Sequence, residues 1–186
     1  ESVDGNFPNH PPDTSNEKNL VQLKDEIKSN KSSIGFAYDG DGDRIIALKG
    51  NGDIIWPDQL MILFSRSILK NNRDAKIVYD VKCTKHLEDE IIKNNGIPVL
   101  SRTGHSFIKK AMIKEKALLG GEMSGHIFFA DKWKGFDDGI YASIRLLEIL
   151  SNNENYEEIL NGLPVSVTTP EINIPFSGNN HFTFMD

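Results

Sequence analysis

The sequence predicts an α/β protein: a three-layer α/β/α unit around a mostly parallel mixed sheet, with a shorter strand-turn-strand region ahead of it. Three observations carry this. From Pro57 onward helical and strand patterns alternate strictly, which argues for a parallel sheet with helices on both faces. The strands IVYDV, IPVL and ALLG are apolar, as strands buried on both faces are. Before Pro57, the runs RIIALKG and DIIWP flank Asn51-Gly52-Asp53, a turn that reverses one strand into the next.

In chain order, Pro8, Pro11 and Pro12 mark an extended start. Residues 16–29, NEKNLVQLKDEIKS, place Leu20, Leu23 and Ile27 at helical spacing. IGFAY reads as a short strand, DGDGD as a turn at its end, and RIIALKG as the strand that follows. Helices are expected near 58–70, 84–94, 105–116 and 137–151, with strands near 76–81, 97–100 and 117–120. Gly96 fits the C-terminal stop of a helix. Phe107, Ile108, Met112, Ile144, Leu147 and Leu150 recur at helical spacing and are read as core.

Composition narrows the function classes. Of 186 residues, 38% are hydrophobic and 26% charged, the balance of a globular protein. Net charge is −6, and Lys and Arg are scattered along segments such as KNLVQLKDEIK, so no nucleic-acid-binding stripe is expected. No apolar run approaches the roughly 20 residues that span a bilayer, so no membrane partner is expected either. The N-terminus, ESVDGNFPNHPPD, has no Met, no basic start and no apolar stretch; it reads as a cut end and not as a signal peptide. A single cysteine, Cys83, excludes an intramolecular disulfide and fits a reducing compartment, so cytoplasm is expected and Cys83 is read as a packed residue.

In an open α/β sheet, ligands collect at the loops beyond the carboxyl ends of the strands. Three such loops are polar and suited to a sugar or a phosphate. They are Lys82-Cys83-Thr84, Ser101-Arg102-Thr103-Gly104-His105, and Gly121-Glu122-Met123-Ser124-Gly125-His126. His126 is read as bracing its loop and Arg102 as pairing with a local carboxylate.

The chemistry of AYDGDGDRII is sharper. Alternate carboxylates from Asp39, Asp41 and Asp43 can converge on one cation, while the glycines permit a tight turn. All-oxygen ligation suits Mg²⁺ or Ca²⁺ and not zinc. An EF-hand is excluded, because Arg44 stands where that loop needs glycine and Gly50 where it needs glutamate. Three protein ligands leave coordination incomplete, which favours Mg²⁺ with a phosphoryl oxygen in an open place and Arg44 clamping the same phosphate. No P-loop and no G-x-G-x-x-G fingerprint occurs.

These segments resemble the α-D-phosphohexomutases, and within them the phosphomannomutase/phosphoglucomutase branch. The resemblance rests on DGDGDR (39–44), DVKCT (80–84), RTGHSFIKKAM (102–112), GGEMSGHIFF (120–129) and DDGIYASIRLLEIL (137–150), in that order. It implies that Asp39, Asp41 and Asp43 are the Mg²⁺ ligands and that Arg44 offsets phosphoryl charge. By the same resemblance Lys82 is the candidate general acid/base, His105 contacts substrate or shares in proton transfer, and Glu122 and Ser124 hydrogen-bond the sugar hydroxyls. The implied reaction interconverts hexose 1-phosphate and hexose 6-phosphate, with mannose and glucose forms as substrates. It runs through a phosphoserine and a hexose 1,6-bisphosphate.

The family's serine loop and its C-terminal phosphate-gripping loop find no match in the chain. The resemblance therefore implies an internal fragment that is inactive alone: 1–54 as the latter part of domain 2, 55–165 as the complete domain 3, and 166–186 as a linker and the start of a truncated domain 4. A phosphoglucosamine mutase and a non-catalytic sugar-phosphate or metal-binding module stay open as alternatives, as do the preferred hexose and the oligomeric state.

Overall fold

The computed structural model describes residues 4–165, so the expected linker and fourth-domain start at 166–186 lie outside the described residues. Asn16, whose side chain accepts the Lys18 N–H, opens a single 3₁₀ turn at Glu17–Leu20 that runs into α1 (Val21–Asn30). Lys31 ends α1 in the left-handed region, its N–H turned back to the Ile27 and Lys28 carbonyls. Strands β1 (Ile34–Tyr38), β2 (Ile45–Lys49) and β3 (Ile54–Ile55) then form an antiparallel sheet in that order. Tyr38 pairs with Ile45, so residues 39–44 are the hairpin loop between the first two strands.

The second sheet grows from the alternating region. Pro57 starts α2 (Pro57–Leu69), where a missing N–H costs nothing, and the Gln59 side chain accepts the Trp56 N–H at 3.0 Å. There follow β4 (Lys76–Asp80), α3 (Lys85–Lys93), β5 (Ile97–Ser101), α4 (His105–Glu115), β6 (Leu119–Gly121) and β7 (Ile127–Phe129). Helices α5 (Gly139–Ser151) and α6 (Tyr156–Asn161) complete the described chain. Strand order is β5-β4-β6-β7, with β4 parallel to both neighbours and β7 antiparallel to β6. The chain moves outward from β4 to β5 and then back past β4 to β6. With one crossover hand, those opposite moves put α3 and α4 on opposite faces. Accordingly α4 packs on β4 and β6, whereas α3 packs on α2.

The expected three-layer α/β/α unit is therefore present, and a second sheet is laid against it. Helices α2 and α5 lie between the two sheets, touching β2 on one side and β6 or β7 on the other. The main core joins Ile45, Ala47 and Ile55 to Leu60, Phe64, Leu119, Phe129, Ala142 and Leu146, with Phe64 edge-on to Phe129 at 5.0 Å. The alternate residues of β2, Ile46 and Leu48, pack with Leu20 and Ile27 beneath α1. Strand β2 is thus buried on both faces, which ties the first sheet to the rest by apolar burial.

Several expectations need correction. Among the described strands β5 is an edge, with Leu100 61% exposed, so IPVL is not buried on both faces; Pro98 suits an edge that does not need its N–H. Phe107, Ile144 and Leu147 are exposed while Ile108, Met112 and Leu150 are buried, because spacing identifies a shared face but not which face of an apolar helix meets the core. The left-handed stop after α3 is Asn95, at φ 60°, and not Gly96. Gly96 is needed for space: a Cβ there would lie 2.7 Å from the Leu69 methyls. Strand β7 and helix α6 had no counterpart in the sequence reading.

Candidate active site

The loop between β1 and β2 is organised by Asp39. Its Oδ1 accepts the backbone N–H groups of Gly42 and Arg44, each at 3.1 Å, and its Oδ2 accepts Nε of Arg44 at 2.7 Å. Gly42 supplies the turn, at φ +79°, where a side chain would be strained. Burial pushes the Asp39 carboxyl up, but the Arg44 backbone and guanidinium outweigh it and hold its pKa below the ordinary value.

Asp39, Asp41 and Asp43 offer one oxygen each within 4.8 Å of one another. Asp43 Oδ1 is buried and accepts no hydrogen bond among the described residues, with His126 Nε2 at 3.4 Å. Burial raises the Asp43 pKa; His126 draws it down, but Asp39, Asp41 and Asp137 add to the rise. A crowded set of oxygens with one buried lone pair unmet is what a hard divalent cation satisfies. The three aspartates therefore fit Mg²⁺ by their donor chemistry.

The aspartate loop is stitched by its backbone to two other segments. Ile45 N–H donates to the Gly125 carbonyl at 3.1 Å, and Arg44 bridges His126 in antiparallel fashion. Gly139 N–H, at the start of α5, donates to the Gly42 carbonyl at 3.0 Å. Gly125 permits the first approach: it sits at φ +105°, and a Cβ there would meet the Ile45 carbonyl oxygen at 2.8 Å.

Within the Glu122-to-His126 loop, Glu122 has a side chain only 2% exposed. Its Oε1 accepts the Gly104 N–H, and its Oε2 accepts from His126 Nδ1 at 2.8 Å and from the Ser124 hydroxyl at 3.4 Å. Burial raises the Glu122 pKa, but the His126 and Gly104 bonds bring it below the ordinary value. For His126 burial acts against the charge, and the Glu122 bond with the Asp43 charge reverses it, so its pKa is raised. With Nδ1 on Glu122 and Nε2 toward Asp43, His126 braces its own loop and also reaches across to the aspartate loop.

His105 opens α4 with its side chain 63% exposed, Nδ1 lying 3.7 Å from Asp137 Oδ2. Its ring lies 5.5 Å from that of His126. Lys82 is exposed in the turn after β4. Arg102 lies over the Phe107 ring at 5.8 Å and makes no ion pair among the described residues, so its expected carboxylate partner is replaced by an aromatic face. Cys83 is packed as expected, and burial with the Asp80 charge pushes its thiol pKa well up.

Asp39, Asp41, Asp43 and Arg44 thus share one loop, and His126 joins that loop to Glu122 and Ser124. His105 approaches through Asp137, and Lys82 stands on the same rim two residues beyond Asp80. The sequence reading missed Asp137 and Asp80. Both stand at the head of quoted segments, DDGIYASIRLLEIL and DVKCT, but were given no role there, because their partners lie on other elements.

Residues 56–166 match the family model described as phosphoglucomutase/phosphomannomutase, alpha/beta/alpha domain III, and residues 1–52 that of domain II. The chain is 51% identical over 181 residues to a phosphoglucomutase of Neisseria meningitidis serogroup A, covering 96% of this chain and 39% of that protein. It is 48% identical to a phosphomannomutase/phosphoglucomutase of Pseudomonas syringae pv. tomato, covering 99% of this chain and 40% of the relative. It superposes with a TM-score of 0.87 and 47% identity on the crystal structure of a phosphoglucomutase/phosphomannomutase family protein from Burkholderia thailandensis, covering 90% of this chain and 37% of that one. The chain spans about two fifths of the length of the curated relatives it matches. With both family models in register and near half-identity along almost all of its length, this chain belongs to the phosphoglucomutase/phosphomannomutase family.

Proposed function

We propose that the complete protein carrying this chain is a phosphomannomutase/phosphoglucomutase, which interconverts hexose 1-phosphate and hexose 6-phosphate. A phosphoserine outside this chain would give its phosphoryl group to the 6-hydroxyl of a hexose 1-phosphate, and the resulting hexose 1,6-bisphosphate would turn over in the site and return its 1-phosphoryl group to the serine, leaving hexose 6-phosphate. In this reading 1–54 is the latter part of domain 2, 55–165 is domain 3, and 166–186 leads into domain 4. A cytoplasmic setting accords with the single free thiol.

The observation that carries the reading is the backbone pairing of the aspartate loop with the Glu122-to-His126 loop, which sets candidate metal ligands beside candidate sugar ligands. Asp39, Asp41 and Asp43 would hold Mg²⁺, which when bound supplies positive charge against the phosphoryl group in transfer. Among the described hydrogen bonds only Nε of the Arg44 guanidinium is engaged, so its terminal nitrogens can face a phosphate. Lys82 and His105, both exposed beyond the carboxyl ends of β4 and β5, would hold or move the proton of the attacking hydroxyl. Glu122 and Ser124 would bind sugar hydroxyls, a hydroxyl taking the place of a protein donor now on the Glu122 carboxylate.

Phosphorus NMR of the complete protein with glucose 1-phosphate, mannose 1-phosphate or glucosamine 1-phosphate tests the reading. Conversion of the 1-phosphate resonance into that of the 6-phosphate is expected for the glucose and mannose forms, with Mg²⁺ required and activity lost on chelation and in Asp41→Ala. Turnover of glucosamine phosphate alone would move the assignment to that mutase. Binding without turnover of any of the three would refute the enzymatic reading.

A further inference from the structure

We propose that Asp80 is the positioning residue that holds the three strand-end loops in one mutual arrangement, and through them places Lys82, His105 and Glu122. The inference rests on the mutase reading above. Asp80 closes β4, the strand between β5 and β6, and is 0% exposed. Its Oδ2 accepts the Thr103 hydroxyl at 2.8 Å; its Oδ1 accepts the Met123 N–H at 3.2 Å and the Cys83 thiol at 3.1 Å. Each donor belongs to a different loop, and each stands within two residues of a candidate site residue: Cys83 beside Lys82, Thr103 two before His105, Met123 between Glu122 and Ser124. Asp80 is thus one carboxylate with three loops on it.

Folding by itself does not require this arrangement. A buried carboxylate is costly unless fully bonded, and Asp80 is fully buried at the end of a strand whose Ile77 and Val78 belong to the apolar core. Charge-assisted bonds are shorter and stronger than neutral ones, so a carboxylate at the hub holds loop geometry more tightly than a neutral acceptor would. The same rim has two further braces: Asp58 accepts the Thr84 N–H at 3.0 Å, and Glu122 accepts the Gly104 N–H. Asp80 alone touches all three loops among the described hydrogen bonds. Displacing a reacting group by about 1 Å costs on the order of a hundredfold in rate, so a hub that fixes three loops has direct kinetic consequences.

The test uses the complete protein with glucose 1-phosphate. Asp80→Ala is expected to lower kcat/KM roughly a hundredfold. Both parameters should worsen, kcat through the Lys82 and His105 loops and KM through the Glu122 loop. Asp80→Asn keeps an oxygen for Met123 and gives Thr103 an amide donor that its hydroxyl can accept; it should recover at least half of that loss on a logarithmic scale. Thr103→Val, which removes one bond from the loop side and guards against an Asp80→Ala chain that fails to fold, should lower kcat/KM about tenfold. Amide chemical shifts of Gly104 and Met123 should move in Asp80→Ala. Wild-type kcat and KM per folded molecule in Asp80→Ala, or unchanged kinetics in Thr103→Val, would overturn the proposal. A wild-type protein that turns over no hexose phosphate sinks the mutase reading instead. In that case the hub is judged by the amide shifts, and stationary Gly104 and Met123 resonances refute it.

Discussion

Gly139→Ala sets helix propensity against a close backbone approach, and the structure says which wins. Gly139 is the first residue of α5, in a backbone conformation open to any residue, and alanine there is favoured by up to about 1 kcal/mol as a helix former. Yet an added Cβ would lie 2.8 Å from the Arg44 carbonyl oxygen, 2.9 Å from its carbon and 2.9 Å from the Gly42 carbonyl oxygen. All three are backbone atoms of a loop fixed by the hydrogen bonds to Asp39, so they cannot retreat as a flexible side chain would. Overpacking of this kind costs about 1–3 kcal/mol. Stretching the Gly139 N–H bond to Gly42 adds about 1 kcal/mol more. Net of the propensity gain, the expected loss is about 1–3 kcal/mol. Native-state hydrogen exchange at the β1 and β2 amides of the complete protein reads this as protection reduced roughly five- to 160-fold. Gly5→Ala, whose Cβ would meet nothing within 4 Å, is the control. Protection in Gly139→Ala equal to or greater than wild type would refute the argument that this glycine is kept for the approach of the aspartate loop.

Three further outcomes are expected. Leu146→Ala, at a fully buried position between the two sheets, should cost about 2–5 kcal/mol, whereas Ile144→Ala, 56% exposed on the same helix, should stay within about 0.5 kcal/mol; equal losses in urea unfolding would invalidate the assignment of faces. The Glu90 carboxyl is held below its ordinary value of 4.5, first by the Arg66 hydrogen bond. A depressed carboxylate contributes stability that is present above the ordinary value and fades as pH falls through the folded one, so Arg66→Met should flatten the acid arm of the stability profile; an unchanged arm counts against it. In hydrogen exchange, α1 amides, which cover the small cluster of Leu20, Ile27, Ile46 and Leu48, should open before those of β4 in the main core; the reverse order would show that the first sheet is not the weaker layer.

Much of the fold was legible because its signals are local. The alternation after Pro57, the Asn51-Gly52-Asp53 reversal and the DGDGDR hairpin each follow from residues near in sequence, and all appear in the structure. Helix α6 escaped because six residues hold less than two helical turns of pattern, and β7 because Ile127–Phe129 shows no alternation and follows directly on the Glu122-to-His126 loop. Exposure on α4 and α5 escaped for another reason: Phe107, Ile144 and Leu147 are as apolar as the residues that are buried, and only the neighbours decide between them.

At the site, the sequence alone determined which residue types stand together in one loop: three alternate carboxylates with an arginine behind them, and a glutamate, serine and histidine in another. That is covalent proximity, and no folding is needed to read it. Tertiary structure decided that the two loops touch, through Gly125 and the Arg44–His126 bridge, and that Asp137 faces His105. It also decided that one buried aspartate at the end of β4 receives donors 3, 23 and 43 residues away. Contacts across such separations depend on strand order and crossover direction, which set neighbours in space without leaving a pattern in the neighbouring sequence.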